Sequence, residues 1–140
     1  MEKPAKAVNN ASGVVVFYEN FLVLLGKRSK LCYLTGKPVP YGGYWSIFSG
    51  SMEKNENSRD CAQRELFEET KIEVKSSSLD FYNTIKTENL NFHIYSLHTK
   101  QIPKVTINQE HSNYGWFGLN SLPDKICLLY TSPSPRDGHQ

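Results

Sequence analysis

Cysteine is scarce in this chain and scattered: Cys32, Cys61 and Cys127 are three, an odd number, and no two have paired spacing. That excludes a zinc ribbon and a disulfide framework and suits a reducing compartment, so a cytoplasmic location is expected. Long apolar runs are missing as well. The opening MEKPAKAVNN has no apolar segment of the kind a secretory signal needs, and the longest apolar runs are strand-sized, so no membrane span is expected. Charge of one sign is also lacking, since 16 basic residues against 14 acidic ones leave a formal +2. That balance does not mark a nucleic-acid binder, and it does not repel a polyphosphate. An ATPase phosphate loop is absent too. Gly26-Lys27 offers its final pair, but the first glycine of that motif would have to stand at Phe21. The 140 residues, 39% of them apolar, suffice for one domain with its own core.

The acidic residues gather in one place. Gly50 to Ile72 reads GSMEKNENSRDCAQRELFEETKI. Its second half reads as a helix, with Asn57 or Ser58 placed to cap it and Ala62 and Leu66 on the stripe that should meet a sheet. At about 100° per residue, Glu65, Glu68 and Glu69 share the adjoining face. Like charges three and four apart cost roughly 0.2–0.5 kcal/mol per pair on an exposed helix, so the trio repels itself unless a cation sits among it. Oxygen donors favour magnesium, manganese or calcium. Taken alone, Arg-Glu-x-x-Glu-Glu reads as a solvated helix face. The wider spacing changes that reading.

Gly50, five residues, Glu56, seven residues, Arg64-Glu65, Leu66, one residue, Glu68-Glu69, two residues and Ile72 together resemble the signature of the Nudix hydrolases. One departure stands out: Lys71 occupies the place of the family's second glycine. A glycine just past a helix commonly takes the left-handed conformation that caps it. Lysine there costs about 1 kcal/mol if it keeps that conformation; otherwise the helix end is rebuilt, with the ammonium against the negative end of the dipole. Either way the change touches the cap and leaves the carboxylates intact.

Around this stretch, Gly13 to Tyr18 and Phe21 to Leu25 read as strands of a hairpin with Glu19-Asn20 as a two-residue turn. KRSKLCYLTGKPVPYGGY, residues 27–44, reads as irregular loop. Its bases Lys27, Arg28, Lys30 and Lys37 are candidates for phosphate contact, against the plainer reading of a solvated loop. Tyr44 to Phe48 reads as a strand running into Gly50, as in the family. Trp45 is expected to pack, and Tyr41 and Tyr44 are equal candidates to stack on a base. Leu79 to Ile85 and Asn91 to His98 alternate as an antiparallel pair. His93 and His98 lack partners at ligand spacing and are assigned no role. Tyr114 to Leu119 is a last apolar run. Glu110-His111 before it resembles an acidic loop of the family, which makes Glu110 a candidate base or extra ligand.

The resemblance implies an α/β (α+β) Nudix fold, a mixed β-sheet sandwiched between helices. It also implies hydrolysis of a nucleoside diphosphate linked to another group, with Mg2+ or Mn2+ as cofactor. Carried over, Glu65, Glu68 and Glu69 are the metal ligands, joined by the carbonyl of Ser49. One of them or Glu110 takes the proton, and Glu56 holds Arg64; from the basic loop, and not from the signature, Arg28 and Lys27 are the candidates to meet substrate. A small nucleotide is the expected partner, with a 5′ RNA end or a catalytically silent nucleotide-binding module as alternatives. Finally, Cys127 to Asp137, CLLYTSPSPRD, resembles the in-frame translation of a sequencing adapter. The domain is therefore expected to occupy residues 1–126, with 127–140 a non-native tail and the family's closing helix missing.

Overall fold

The computed structural model of the chain describes residues 8–127. The elements run β1 (Asn9–Tyr18), β2 (Leu22–Arg28), β3 (Trp45–Ser46), β4 (Phe48–Ser51), α1 (Ser58–Thr70), a single 3-10 turn (Ser76–Ser78), β5 (Asp80–Lys86), β6 (Leu90–Thr99) and β7 (His111–Gly118). All seven strands belong to one mixed sheet, and α1 is the only α-helix among the described residues.

Strand β1 is the spine. It pairs in parallel with β6 along ten positions, Asn9↔Leu90 to Tyr18↔Thr99. β5 continues the sheet antiparallel to β6, as the alternation in both suggested. On its other side β1 meets β2 only at Phe17↔Val23 and Tyr18↔Leu22, after which the two splay. Residues 45–51 enter the fork: β3 pairs β2 at Gly26 and Lys27, and β4 pairs β1 from Ala11↔Ser51 to Val14↔Phe48. The expected single strand Tyr44 to Phe48 is therefore two short ones that meet at Ile47, and the second runs through Gly50. Gly13 makes this pairing possible, because a Cβ there would lie 2.7 Å from the Ser49 Cβ.

Three further expectations change. Tyr18 pairs with Leu22, so the first turn holds three residues, with Glu19 in the left-handed region at φ 55. β2 extends to Arg28 because β7 lies alongside it as far as Arg28↔His111. Lys27 and Arg28 thus belong to a strand. The remaining segment, residues 29–44, is also less irregular than its composition suggested. Leu31 bridges Pro38, and the segment leaves and returns at one residue. The Arg28 N–H donates to the Tyr44 carbonyl, and the Arg28 carbonyl accepts from the Gly43 N–H, both at 2.8 Å.

Alternation along β1 splits the core in two. Val14 and Val16 face α1 with Leu24, Phe48, Ala62, Leu66, Tyr95 and Leu97. Ala11, Val23, Leu25, Ile47, Phe92 and Ile94 form the core of the opposite face. A fully buried Leu or Val contributes about 1.5–3 kcal/mol, so Leu66 and Val14, both fully buried, set the helix on the sheet. Ile126 reaches the second core and bridges Trp45 in parallel; the Cys127 N–H donates to the Trp45 carbonyl at 2.8 Å. Met1 to Ala7, Leu128-Leu129-Tyr130 and the rest of the adapter-like stretch lie outside the described residues. Among the described residues no helix is long and apolar enough to cross a membrane.

Candidate functional site

Helix α1 carries the site because its start is fixed and one of its faces is sealed. Asn57 is the N-cap, its side chain accepting from the Asp60 N–H at 2.8 Å. Cys61, Ala62 and Leu66 are fully buried against the sheet. Burial pushes the Cys61 thiol up to about 12, which keeps it protonated and unreactive.

One turn further, Arg64 ties the loop to the helix. Its Nε and Nη2 grip both oxygens of Glu56 at 2.7 and 2.9 Å, and Nη2 also donates to the Ser51 carbonyl at 3.1 Å. Nη1 donates to Glu65 at 2.8 Å and to Glu68 at 3.3 Å. Burial alone would raise the Glu56 carboxyl, but the hydrogen bonds and charge of Arg64 outweigh it and hold that group below the ordinary range. Glu56, in the loop before α1, is thereby joined to Arg64 on the helix.

The acidic face divides. Glu68 is half-exposed and turned to Arg64, whereas Glu65 and Glu69 are 4% and 3% exposed. Strand β4 presses on them. A Cβ at Gly50 would stand 2.2 Å from the Glu65 carboxyl carbon, so the missing side chain brings the Ser49–Gly50 backbone against that carboxylate. Burial raises Glu65, with Arg64 pulling the other way. Burial raises Glu69 well above the ordinary carboxylate range, and the charges of Glu65 and Glu110 add to this while Arg28 opposes it. Glu69 Oε2 has no hydrogen-bond partner.

Two further elements close the site from the sheet. Just before β7, Glu110 is raised by burial, against the pull of its hydrogen bond from Asn108 and of Arg28. Arg28, buried at the end of β2, is the cation whose charge opposes the rise of both Glu69 and Glu110. His111 is buried against Phe48, with Nε2 at 3.8 Å from Glu69 Oε1. Burial, aided by Arg28, lowers its pKa to about 4, so it is neutral at pH 7.

This donor set fits a hard divalent cation. It is all oxygen, two of its carboxylates are buried, one oxygen is unpartnered, and the mutual repulsion is of the kind a cation relieves. Among the described residues no three side chains of His, Cys, Asp or Glu already converge on one point, and Glu68 would have to exchange its bond with Arg64 to join the pair.

The structure joins Glu56, Glu65 and Glu68 through Arg64, sets the Ser49–Gly50 backbone against Glu65, and leaves Glu69 and Glu110 under the charge of Arg28. Lys27 stands one residue before Arg28, between Trp45 and Asn113. His93 is bonded to Thr84 and Asn10, and His98 stacks on Phe17. Sequence reasoning missed His111 and Asn108; the Asn-x-Glu spacing, which suits an Asx-turn, was the signal for Asn108.

The family model for the NUDIX domain matches residues 9–132. The RNA pyrophosphohydrolase of Bartonella henselae is 26% identical over 132 residues, covering 91% of this chain and 68% of that protein. The dihydroneopterin triphosphate diphosphatase of Escherichia coli K12 is 33% identical over 89 residues, 63% of this chain. The match spans about half, 55%, of that relative's length. Among solved structures, a MutT NUDIX hydrolase from Burkholderia pseudomallei superposes with a TM-score of 0.70 at 22% identity, covering 87% of this chain and 92% of that one.

Proposed function

Because the chain belongs to the Nudix family, we propose that it is a metal-dependent pyrophosphohydrolase. It would cleave the pyrophosphate of a nucleoside diphosphate linked to another group, with Mg2+ or Mn2+ as cofactor, in the cytoplasm. The observation that carries this reading is the buried Glu65 and Glu69 pair, one oxygen of it unpartnered, facing Glu110 and backed by Arg28. An arrangement so costly to a metal-free protein has a use when a cation and phosphates fill it.

In this reading Glu65, Glu69 and, after exchange of its bond to Arg64, Glu68 hold the cation together with the Ser49 carbonyl. The metal, when bound, screens the phosphate charge and lowers the pKa of a water. Glu110 or a carboxylate of the helix takes the proton as water attacks phosphorus. The P–O bond of the anhydride breaks, and the leaving phosphate carries away the bond's electron pair. A positioned base is worth about 10²- to 10⁴-fold. Arg28 supplies positive charge where phosphate enters between Glu69 and Glu110, and Lys27 adds to it from the same strand. Arg64 and Glu56 keep loop and helix in register. The same reading takes residues 1–126 as the single domain and 127–140 as a non-native tail, jointed at Cys127.

The test is a panel of nucleoside triphosphates, ADP-ribose, nucleotide sugars, dinucleoside polyphosphates and 5′-triphosphorylated or capped RNA, each assayed with magnesium. Turnover of one class, abolished in Glu69→Gln, is the expected result. A protein that binds nucleotides and turns over none would be a silent binding module, although its carboxylates are complete. A 5′ RNA end is favoured as second substrate by the RNA pyrophosphohydrolase relative. An affinity that falls steeply with salt would mark it, since each phosphate contact releases counterions.

A further inference from the structure

We infer that Asn108 is a positioning residue for the hydrolysis: it clamps Glu110 and fastens it to the carboxyl end of the helix that carries the other acids. The inference rests on the proposed activity and adds to it a residue outside the signature.

Three contacts of one side chain carry it. Asn108 Oδ1 accepts the backbone N–H of Glu110 at 3.1 Å, and Asn108 Nδ2 donates to Glu110 Oε2 at 3.2 Å. The same Nδ2 donates to the Glu68 carbonyl at 3.3 Å. Two acceptors meet the NH2 and one donor meets the oxygen, so the partners fix the amide's orientation. The Glu68 carbonyl lies in the last turn of α1, where helix carbonyls have no partner of their own. Neighbouring carbonyls are closed by other means: Lys71 N–H bonds the Phe67 carbonyl and Thr106 N–H the Thr70 carbonyl. Asn108 is therefore both a stitch on the helix end and a two-point grip on Glu110, so Glu110 cannot move without the turn bearing Glu68 and Glu69. A catalytic group held loosely by even an ångström loses much of its effect.

Asn108→Ala removes all three contacts. Asn108→Asp keeps the acceptor for the Glu110 N–H and sets a carboxylate against Glu110 Oε2. The measurements are kcat and KM on the best substrate of the panel, alone and in a Glu110→Gln background, with amide exchange at Glu110 and magnesium affinity by calorimetry. For Asn108→Ala we expect kcat to fall about tenfold or more with KM within about threefold, and Glu110 exchange to accelerate. In the Glu110→Gln background the same change should cost little further, because the residue acts through Glu110. Asn108→Asp should keep slow exchange at Glu110 yet lose kcat at least as far. An equal factor lost in both backgrounds, or unchanged kcat, overturns the inference and leaves Asn108 a purely structural stitch. If the parent turns over nothing, the proposed activity has failed. The clamp is then judged on exchange and magnesium affinity, and unchanged values for Asn108→Ala overturn it.

Discussion

A carboxyl group with an unpartnered oxygen in the protein interior, as in Glu69, makes stability depend on pH. Its pKa is raised by folding, so the native state holds that proton more tightly than the unfolded chain. The group costs nothing below the ordinary carboxylate value and becomes a liability as pH rises toward its raised value. His111 acts in the opposite sense. Held neutral, with its pKa lowered to about 4, it loses stability as pH falls from 6.5, but parent and Glu69 variants share it. In magnesium-free buffer, Glu69→Gln should therefore be more stable than the parent at pH 7.5, on the order of 1 kcal/mol. The gain should vanish near pH 4, read as the difference in Tm between the two proteins. With magnesium the same variant should lose about 100-fold or more in kcat. Activity within twofold of the parent would remove Glu69 from the machinery. Lys71 is a second residue held at a cost. It occupies the left-handed cap at φ 63 and ψ 13, with its N–H on the Phe67 carbonyl, and its ammonium lies 5.1 Å from the Phe67 ring centre. Lys71→Gly relieves the backbone and forfeits a ring contact of roughly 0.5 kcal/mol. A net gain of up to about 1 kcal/mol in urea unfolding is expected, with kcat unchanged; a loss would mean the ring contact outweighs the strain.

Among the elements, the helix was legible in the sequence and the sheet only partly. Ala62 and Leu66 stand four apart, at helical spacing, Asn57 precedes them as a cap residue, and capping and burial follow from local rules. The splayed fork is different, because the break at Ile47 and the length of β2 are set by strands far away in the chain, β1 and β7, and no local pattern encodes them. Asn108 escaped for the same reason, since the carbonyl it bonds is 40 residues away. The fork rests on one close approach that can be probed. A Cβ at Gly13 would come 2.7 Å from the Ser49 Cβ and 3.0 Å from the Phe48 carbonyl. Gly13→Ala should push β4 from β1 and cost about 1–3 kcal/mol. Adding Ser49→Gly should recover part of that loss, because the nearest of the obstructing groups is gone. A double variant no more stable than Gly13→Ala alone would place the strain elsewhere.

At the scale of the molecule, the sheet's second core is joined by Ile126, and the chain is bonded to β3 on both sides of it: the Lys125 carbonyl accepts from the Trp45 N–H at 2.7 Å and Cys127 donates to the Trp45 carbonyl. On the proposal that the domain closes there, removing residues 128–140 should leave Tm within a few degrees and hydrolysis intact. Removing 125–140, which takes Ile126 as well, should cost about 2–4 kcal/mol from lost burial and pairing. Both are read by thermal unfolding with and without millimolar magnesium, which should raise Tm in any form that keeps the acidic site. A loss of several kcal/mol in the shorter deletion would overturn the assignment of the tail as non-native.

Residues 29–44 start and finish on the backbone of Arg28, and that makes residues 30–43 an exchangeable cassette. Beyond Ser29, whose N–H and hydroxyl donate to the Glu110 and Gln109 carbonyls, both at 3.0 Å, the segment's backbone bonds are internal or return to Arg28, and Leu31, Tyr33, Leu34 and Tyr41 are exposed along it. Lengthening such a loop is cheap, about 0.6 kcal/mol per doubling. Grafting a relative's segment between Ser29 and Tyr44, with both kept, should therefore redirect which leaving group is accepted, with Tm lowered by only a few degrees and the dependence on Glu69 unchanged. Natural selection would meet the same freedom: this segment can vary in length and sequence while Ser29 keeps its hold on the Glu110 backbone.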